Sequence, residues 1–426
     1  MIRIVQGGHY GSEGKGAVVG AIALRFGADY AVRSGGINAG HTVVHGGIPC
    51  AMRLLPCAWV NLNCKLVLAP GALIHAPTLH VDVRTVARAL GQSEDAVRSR
   101  IYIDHRAGLH LDQHRDAATR ADRHHKRGTT GKGVSEAIAW RLQDRGAHKL
   151  FASTEDARAY NIVDTVAMIN NAADSRKEII LETTQGILLD LYCGPYPHTT
   201  ARPTGPASWL ADAGLSPRLP MEVWLVWRSY PIRVAGNSGP LPREMSWAAL
   251  ARRINARLVT HGHKPLVGEE ILQVWERACQ QQAEEIRASE HPIPDDPRTA
   301  AHPEEWSPDE RERCAWTASE LHAGALRQLP TTHQTELKRL FEFTTVTRKL
   351  RRIAEFDVAS GLAALTQARP DHVVVTFCDY WVPEAADSCS VPPDLKDKLA
   401  HIEADTNARI RWVSLGPAPN HQLLPT

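Results

Sequence analysis

The fold is decided by residues 7–16, which read Gly7-Gly8-His9-Tyr10-Gly11-Ser12-Glu13-Gly14-Lys15-Gly16. The apolar run Met1–Val5 before them predicts a β-strand, and the alanine-rich segment Ala17–Leu24 after them predicts an α-helix. Five glycines in these ten residues free the backbone to turn its N–H groups toward a ligand at the start of that helix. Such a backbone favours a phosphate group, and Lys15 adds a positive charge. The stretch therefore predicts a phosphate-binding loop.

The spacing of this loop departs from a standard Walker A loop. That motif requires a glycine, four residues and then Gly-Lys-Ser/Thr. Counting back from Gly14 and Lys15, the first position is His9, and Gly16 occupies the place of the magnesium-binding hydroxyl. On spacing alone, a purely structural turn remains the alternative to phosphate binding.

A second glycine-rich motif follows the predicted strand Tyr30–Arg33 and reads Ser34-Gly35-Gly36-Ile37-Asn38-Ala39-Gly40-His41-Thr42-Val43-Val44. Together the two motifs resemble the adenylosuccinate synthetase family, in which they read approximately Gln-Trp-Gly-Asp-Glu-Gly-Lys-Gly and Gly-Gly-x-Asn-Ala-Gly-His-Thr. The resemblance implies an α/β, P-loop-related fold with a mostly parallel central sheet and flanking helices. We expect a single synthetase domain over residues 1–426, with a mainly helical insertion at about residues 246–340, where the match fades.

One residue breaks the match in the first loop. Ser12 stands where the family has its catalytic aspartate. This substitution resembles the phage branch of the family, the 2-aminodeoxyadenylosuccinate synthetases, which use dGMP instead of IMP. The resemblance implies a ligase that joins L-aspartate to the 6-position of dGMP through a 6-phosphoryl intermediate. A nucleoside triphosphate would drive this step on the route to 2-aminoadenine DNA precursors.

Ser12 leaves two alternatives open: an ordinary adenylosuccinate synthetase that acts on IMP, and a nucleotide-binding regulator that has lost its catalytic base. A serine hydroxyl is shorter than a carboxylate, is uncharged and can accept a hydrogen bond from the 2-amino group of guanine. It is a poor general base. The N1 proton of the purine therefore needs another acceptor, or the 6-oxygen is activated without a base.

The resemblance assigns the chemistry to Ser12, Lys15, His41 and Gln185. Lys15 would neutralise phosphate charge, while His41 would donate a proton toward the purine 6-oxygen and Gln185 would hold that oxygen. His41 suits proton transfer because an unperturbed histidine has a pKa near 6.5. Gly40 is the implied ligand of Mg²⁺. The remaining residues of the two loops that are implied to bind the triphosphate are Gly11, Glu13, Gly14, Gly16 and Thr42.

Residues implied to bind the monophosphate substrate are spread over several motifs. The loop Arg127-Gly128-Thr129-Thr130-Gly131-Lys132-Gly133-Val134, before the predicted helix Glu136–Asp144, is similar to the family's phosphate loop. Arg145 follows that helix, close to the place where the family has an arginine that reaches across its dimer interface, so the resemblance implies a homodimer. The substrate contacts implied in these and the other motifs are Asn38, Thr129, Thr130, Thr200 and Val234.

The motif that carries Gln185 follows the predicted strand Glu178–Leu181 and reads Glu182-Thr183-Thr184-Gln185-Gly186-Ile187-Leu188-Leu189-Asp190. It resembles the family's Glu-Gly-Ala-Gln-Gly-x-Leu-Leu-Asp. Taken alone, these residues would also suit a polar turn at the end of a strand. The resemblance instead implies that this motif lies beside the reacting purine.

A basic cluster near the C-terminus, Thr347-Arg348-Lys349-Leu350-Arg351-Arg352, carries four cations in five residues. A solvated basic turn is the simple interpretation. The cluster also resembles the family's Thr-Gly-Arg-x-Arg-Arg loop, whose arginines clamp the carboxylates of aspartate. Forked guanidinium groups suit that task because they bind carboxylates with two hydrogen bonds. Thr347, Lys349 and Arg351 are the implied aspartate contacts.

The base of the triphosphate is implied to lie at Thr376-Phe377-Cys378-Asp379, which resembles the family's guanine-selecting Thr-Lys-x-Asp. Asp379 is kept, but Phe377 replaces the lysine, and an aromatic ring stacks on any purine. ATP or dATP is therefore the expected donor, with GTP still possible. The turn after the last long predicted strand, Ile410–Ser414, completes the implied triphosphate site with Ser414, Gly416 and Pro417.

Composition narrows the remaining possibilities. The net charge of +2 gives no general affinity for polyanions, so we expect no direct contact with nucleic acid. No apolar run reaches the length of a membrane span, and we expect no membrane contact and a cytoplasmic location, which is the host cytoplasm if a phage encodes the chain. Cys50, Cys57 and Cys64 are too widely spaced for a zinc site and predict buried thiols. His110 and His114 predict a solvated basic helix face, with a metal site as the alternative.

Overall fold

The fold is built on a mostly parallel sheet of eleven strands, in a computed structural model that describes residues 1–121, 129–236, 238–287, 325–343, 350–386, 388–417 and 421–426. The strands of the described residues are β1 (Ile2–Gly7), β2 (Tyr30–Gly35), β3 (His41–His45), β4 (Ile48–Met52), β5 (Lys65–Ile74), β6 (Ile101–Asp104), β7 (Gly108–Leu109), β8 (Asn161–Val163), β9 (Ile179–Gly186), β10 (Met221–Arg228), β11 (Ile232–Arg233), β12 (Glu244–Met245), β13 (Arg352–Ala354), β14 (His372–Thr376), β15 (Ile410–Val413) and β16 (Leu424–Pro425).

Helices cover both faces of this sheet. They are α1 (Lys15–Arg25), α2 (Ala76–Leu90), α3 (Glu94–Arg98), α4 (Asp112–Arg120), α5 (Val134–Asp144), α6 (Thr165–Asp174), α7 (Pro206–Ala213), α8 (Trp247–Thr260), α9 (Glu269–Arg287), α10 (Thr331–Leu337), α11 (Val358–Ala368) and α12 (Pro393–Thr406). Two apolar clusters, one on each face, form the core. Ile4 packs into one cluster and Val5 into the other, because successive side chains of a strand point to opposite faces.

The order of the strands in the sheet is β16-β15-β14-β10-β1-β9-β2-β5-β6-β8, with β7 paired to β5. Among the described strands of this sheet, the pair β15–β16 is antiparallel and every other pair is parallel. The α/β class and the mostly parallel sheet are therefore as predicted. Because parallel strands end at one edge, the loops after β1, β2, β9, β10 and β14 meet there, which is where open α/β sheets bind ligands.

The strand before Gln185 is longer than predicted: it runs from Ile179 to Gly186 and reaches the glycine-rich loop. Gly7 and Gly186 lie opposite each other in the pairing of β1 with β9. A Cβ atom on Gly186 would lie 2.1 Å from the carbonyl oxygen of His9, so only glycine permits this approach. The two glycines bring Gln185 directly against the first loop.

The predicted solvated face at His110 and His114 is wrong. Their exposed fractions are 1% and 4%. The backbone of the loop before α5 covers them, since a Cβ atom on Gly133 would lie 2.3 Å from the carbonyl oxygen of His114. The prediction of buried free thiols is confirmed for Cys50, Cys57 and Cys64.

Between residues 246 and 340, the longest described elements are the helices α8 and α9, followed by the short α10. Their apolar residues, such as Leu250, Leu272 and Leu337, belong to one of the two main apolar clusters. The division into one synthetase domain with an insertion stays a prediction. No helix in the described parts of the chain has the length and apolar character that crossing a membrane requires.

Candidate active site

A cavity of about 350 Å³ lies at the carboxyl edge of the sheet, where the loops meet. It brings together residues that lie far apart in the sequence. Of the residues predicted from sequence, those that line it are Gly11, Ser12, Lys15, Asn38, Gly40, His41, Thr129, Thr130, Gln185, Thr200, Val234 and Arg351. This set includes all four residues predicted to be catalytic, and the loops implied to hold the monophosphate face the same space.

The first loop is held in shape by a carboxylate beneath it. Gly11, Ser12 and Gly14 all have positive φ angles, of 92°, 59° and 82°. The Glu13 side chain is fully buried, and its Oε1 accepts hydrogen bonds from the backbone N–H groups of His9, at 3.1 Å, and Gly11, at 2.8 Å. Glu13 therefore shapes the loop from within and does not line the cavity.

Lys15 pairs with the same carboxylate, with 2.6 Å between its Nζ and Oε2 of Glu13. Burial disfavours the charged form of Glu13, but the ammonium of Lys15 outweighs burial, so the pKa of Glu13 is lowered. Lys15 is therefore held at the cavity wall as a cation. A ligand phosphate at the loop would meet both this charge and the start of α1.

His41 forms a buried pair with Glu182, which the sequence analysis did not assign. Nδ1 of His41 lies 2.5 Å from Oε1 of Glu182. Glu182 also contacts the guanidinium of Arg33, at 3.2 Å, and accepts a hydrogen bond from the N–H of Cys57, at 2.6 Å. The carboxylate thus fixes the imidazole ring and leaves Nε2 for a ligand. The one signal for Glu182 in the sequence was that this glutamate begins the Gln185 motif and lies in a buried strand.

The prediction of an unperturbed pKa for His41 is wrong. Burial, followed by the charge of Arg33, lowers its pKa to about 4, and Glu182 only partly opposes them. The imidazole is therefore neutral at pH 7 in the protein without ligands. Phosphate groups that enter the cavity bring negative charge, which raises the pKa of a neighbouring histidine. The predicted proton donation by His41 would therefore require bound substrate.

Ser12 is joined to the basic cluster near the C-terminus. Nη1 of Arg351 donates a hydrogen bond of 2.6 Å to Oγ of Ser12 across 339 residues of sequence. Burial lowers the pKa of Arg351, with the nearby Glu342 opposing the shift. Arg351 is thus not part of a solvated turn, and its guanidinium lies at the wall of the cavity beside the residue that breaks the family pattern.

Residues predicted to bind the base of the triphosphate gather beside the first loop, outside the lining of the cavity. A Cβ atom on Gly14 would lie 3.2 Å from the ring of Phe377. The carbonyl oxygen of Ser414 accepts a hydrogen bond of 2.9 Å from the N–H of Cys378, and the carbonyl oxygen of Gly416 accepts one of 3.2 Å from Oγ of Ser414. Asp379 is half-buried and Pro417 is exposed. These predicted contacts stay predictions.

Three further predicted residues that the structure describes, Gly16, Thr42 and Arg145, do not line the cavity. Gly16 packs against the backbone of Thr42, because a Cβ atom there would lie 2.7 Å from the carbonyl oxygen of Thr42. The close approach holds the hairpin of β3 and β4 against α1 and so places His41. Arg145 is exposed at the end of α5 and does not line the cavity. Thr347 and Lys349 lie outside the described residues.

The described residues do not fit a magnesium ion held by the protein. Mg²⁺ prefers one or two carboxylates together with substrate phosphates. Glu136 is the single carboxylate among the described lining residues, and Oγ of Ser12 is already bonded to Arg351. The backbone carbonyl group of Gly40 would offer one oxygen at the cavity wall, and Gly40 as a metal ligand stays a prediction.

The fold and the site define a class: a nucleotide-using α/β enzyme with a glycine-rich phosphate loop and a histidine–carboxylate pair in one cavity. The family model described as adenylosuccinate synthetase matches residues 4–155 and 147–383. The adenylosuccinate synthetase of Methanococcus vannielii is 36% identical over 247 residues, which are 57% of this chain and 69% of that protein. That of Pyrococcus horikoshii is 34% identical over 245 residues, again 57% and 69%. The chain therefore belongs to the adenylosuccinate synthetase family and is a ligase that forms C–N bonds.

Two solved structures share the fold across the whole chain. One is the cyanophage S-2L succinoaminodeoxyadenylate synthetase bound to dGMP and dATP as an energy donor, with a TM-score of 0.66 and 23% identity over 100% of this chain and 95% of that chain. The other is the fully ligated adenylosuccinate synthetase of Plasmodium falciparum, with a TM-score of 0.68 and 16% identity over 100% and 99%. Both support the α/β fold described above.

Proposed function

We propose that this ligase joins L-aspartate to the 6-position of dGMP and uses ATP or dATP to phosphorylate the 6-oxygen first. The observation that carries the proposal is Ser12, whose hydroxyl lies at the cavity wall and is bonded to Arg351 at 2.6 Å. The cyanophage relative by fold is bound to dGMP and dATP, which supports the same choice of ligands here.

The hydroxyl of Ser12 suits a guanine base better than a carboxylate would. A hydroxyl oxygen has two lone pairs, of which Arg351 uses one, so the other can accept a hydrogen bond from the 2-amino group. An aspartate side chain at the same place is longer and charged, and it would pair with the guanidinium of Arg351. Hypoxanthine has no 2-amino group to fill the space that serine leaves.

In this proposal, the purine is activated at its 6-oxygen and not by removal of the N1 proton by Ser12. Ser12 is a poor base, and a guanidinium beside its hydroxyl does not favour proton uptake. His41, protonated once phosphates enter, would stabilise the negative charge on the transferred phosphoryl group in this step, and it would donate a proton to the 6-oxygen when the phosphate later leaves. Gln185 would hold that oxygen. Lys15 would neutralise charge on the transferred phosphoryl group. The N1 proton would leave to water in the cavity.

Aspartate then displaces the phosphate from the activated base. Arg351 would hold a carboxylate of this substrate, together with Lys349 and Thr347 of the same basic cluster. Its position beside Ser12 places the amino acid next to the purine ring. We also propose a homodimer, in which the exposed Arg145 would reach the neighbouring subunit, and one synthetase domain that carries the helical insertion.

Changing Ser12 to aspartate is expected to lower kcat/KM for dGMP by about 10–100-fold, since the longer, charged carboxylate would crowd and desolvate the 2-amino group. The new carboxylate would also pair with Arg351, so the KM for aspartate should rise. Steady-state rates of the wild type and of Ser12→Asp check this. Ser12→Ala is the matched control, because it removes the hydroxyl without adding a charge and should raise the KM for aspartate less than Ser12→Asp does. Full dGMP activity in Ser12→Asp would show that Ser12 does not select the base.

ATP and dATP are expected to support turnover alongside GTP. Asp379 is the remaining guanine-selective group of its motif, and a hydrogen bond to a charged group contributes about 1.5–3 kcal/mol, which favours guanine without excluding adenine. Phe377 offers a ring that does not distinguish purines. Titration of each triphosphate, with dGMP and aspartate saturating, checks this expectation. Turnover with GTP alone would contradict it.

A catalytically inactive regulator is the second candidate, favoured only by the missing aspartate at position 12. Phosphate release that requires both dGMP and aspartate would exclude it. A regulator would bind nucleotides and raise its melting temperature with them, but it would release no phosphate when aspartate is added.

A further inference from the structure

Arg228 lies at the end of β10, is 1% exposed and reaches three parts of the site at once. Its Nη1 donates a hydrogen bond of 3.1 Å to the carbonyl oxygen of Ser12, and its Nη2 pairs with Glu342. Its guanidinium also lies 3.6 Å from the centre of the Phe377 ring. One buried cation therefore contacts the first glycine-rich loop and the segment after β14.

Glu342 extends these contacts on both sides. Its Oε1 accepts a hydrogen bond of 2.7 Å from the hydroxyl of Tyr380, which follows Phe377 and Asp379 in the segment after β14. Its backbone carbonyl oxygen accepts one of 2.8 Å from the N–H of Arg351. Arg351 in turn donates to Oγ of Ser12, which closes a ring of contacts through Ser12, Arg228, Glu342 and Arg351.

We infer that Arg228, Glu342 and Tyr380 are positioning residues that couple the binding of the triphosphate to the placement of Ser12 and Arg351. The inference rests on the proposed function, because it takes the segment Phe377–Tyr380 as the place of the triphosphate base. A base that docks there shifts or fixes Phe377 and Tyr380, and Arg228 and Glu342 carry this restraint to the two residues that meet dGMP and aspartate. Binding coupled in this way is reciprocal.

Buried charge makes the coupling strong. The free-energy cost of burying the charge of Arg228 is offset by its ion pair with Glu342. The two side chains therefore cannot separate without leaving an unpaired charge. The ring of Phe377 packs on the same guanidinium, and this ring is the group proposed to stack on the base of the triphosphate. Movement of the segment after β14 therefore cannot occur independently of Ser12.

The test is the affinity for aspartate, measured by calorimetry with dGMP saturating, in the absence and presence of a β,γ-imido analogue of ATP that is not hydrolysed. We expect the analogue to tighten aspartate binding of the wild type about tenfold, within the usual range of coupling. Tyr380→Phe removes one hydrogen bond to Glu342 and should lower this ratio about fivefold. Its affinity for aspartate without the analogue should change little, which a general loss of structure would not produce.

Tyr230→Phe is the matched control. The Tyr230 ring lies 6.3 Å from that of Tyr380, but its hydroxyl interacts with Arg253 and not with Glu342. The control should keep the tenfold ratio. In a double variant with Glu342→Leu, which has no acceptor, the change Tyr380→Phe should have no further effect, because its partner is already absent. An unchanged ratio in Tyr380→Phe, or a ratio of one in the wild type, would overturn the inference.

The same measurement with IMP separates this inference from the proposed substrate. If coupling is seen with IMP and not with dGMP, the choice of dGMP fails while the role of Arg228 and Glu342 stands. If dGMP supports turnover and Tyr380→Phe keeps the full ratio, the proposed function stands and the coupling fails.

Discussion

Replacing His41 by asparagine is expected to lower kcat by about 10²–10⁴-fold, the usual contribution of a positioned general acid. Asparagine retains a hydrogen-bonding group near Oε1 of Glu182, but it cannot carry the proton to the purine 6-oxygen. The fold should survive, because Glu182 keeps its contacts with Arg33 and with the N–H of Cys57. The affinity for dGMP, measured by calorimetry without triphosphate, should change little.

His45→Asn is the matched control for this variant, since His45 lies on the same strand and does not line the cavity. It should keep the rate of the wild type. The pH dependence adds an independent check. In the protein without ligands the pKa of His41 is about 4, so its protonated fraction falls above that pH, and bound phosphates shift this loss to higher pH. A falling limb of kcat at high pH that remains in His41→Asn would assign the proton transfer to another group.

Changing Lys15 to methionine is expected to lower kcat by about 10²–10³-fold, because the charge that stabilises the transferred phosphoryl group is lost. Phosphoryl transfer depends mainly on positioning and charge neutralisation, so this loss should appear in kcat more than in the affinity for dGMP. Rapid measurement of phosphate release at saturating substrates gives the rate.

Loss of Lys15 also leaves Glu13 as an unpaired buried carboxylate, which destabilises a fold by about 3–5 kcal/mol. The double variant Glu13→Gln with Lys15→Met removes this charge, and the amide oxygen of the new glutamine side chain can still accept the N–H groups of His9 and Gly11. Its melting temperature should recover while its rate stays low. Recovery of the rate as well would mean that Lys15 is needed only to balance Glu13.

Local patterns in the sequence predicted the central strands and the loops between them. Glycines, apolar runs and a lysine at the start of α1 can be recognised from short stretches of neighbouring residues. These signals placed the first loop between β1 and α1 correctly. The resemblance to a family then predicted the residues around one cavity, including Gln185 and Thr200, which lie after different predicted segments of the chain.

Contacts between distant residues could not be predicted in the same way. Glu182 fixes His41 across 141 residues, and Arg228 reaches Ser12 across 216. Neither residue differs in type from many others in the chain, so only the packing of β9 and β10 beside β1 reveals it. The same holds for the pKa of His41, which depends on burial and on the charge of Arg33.

The choice of base is tested most directly by aspartate-dependent phosphate release with dGMP and with IMP under the same conditions. A hydrogen bond between Ser12 and the 2-amino group contributes about 1–3 kcal/mol, so kcat/KM should be about 10–100-fold higher for dGMP. dAMP, which lacks a 6-oxygen to phosphorylate, is the control and should give no release. Equal values of kcat/KM for dGMP and IMP, or a higher value for IMP, would contradict the account.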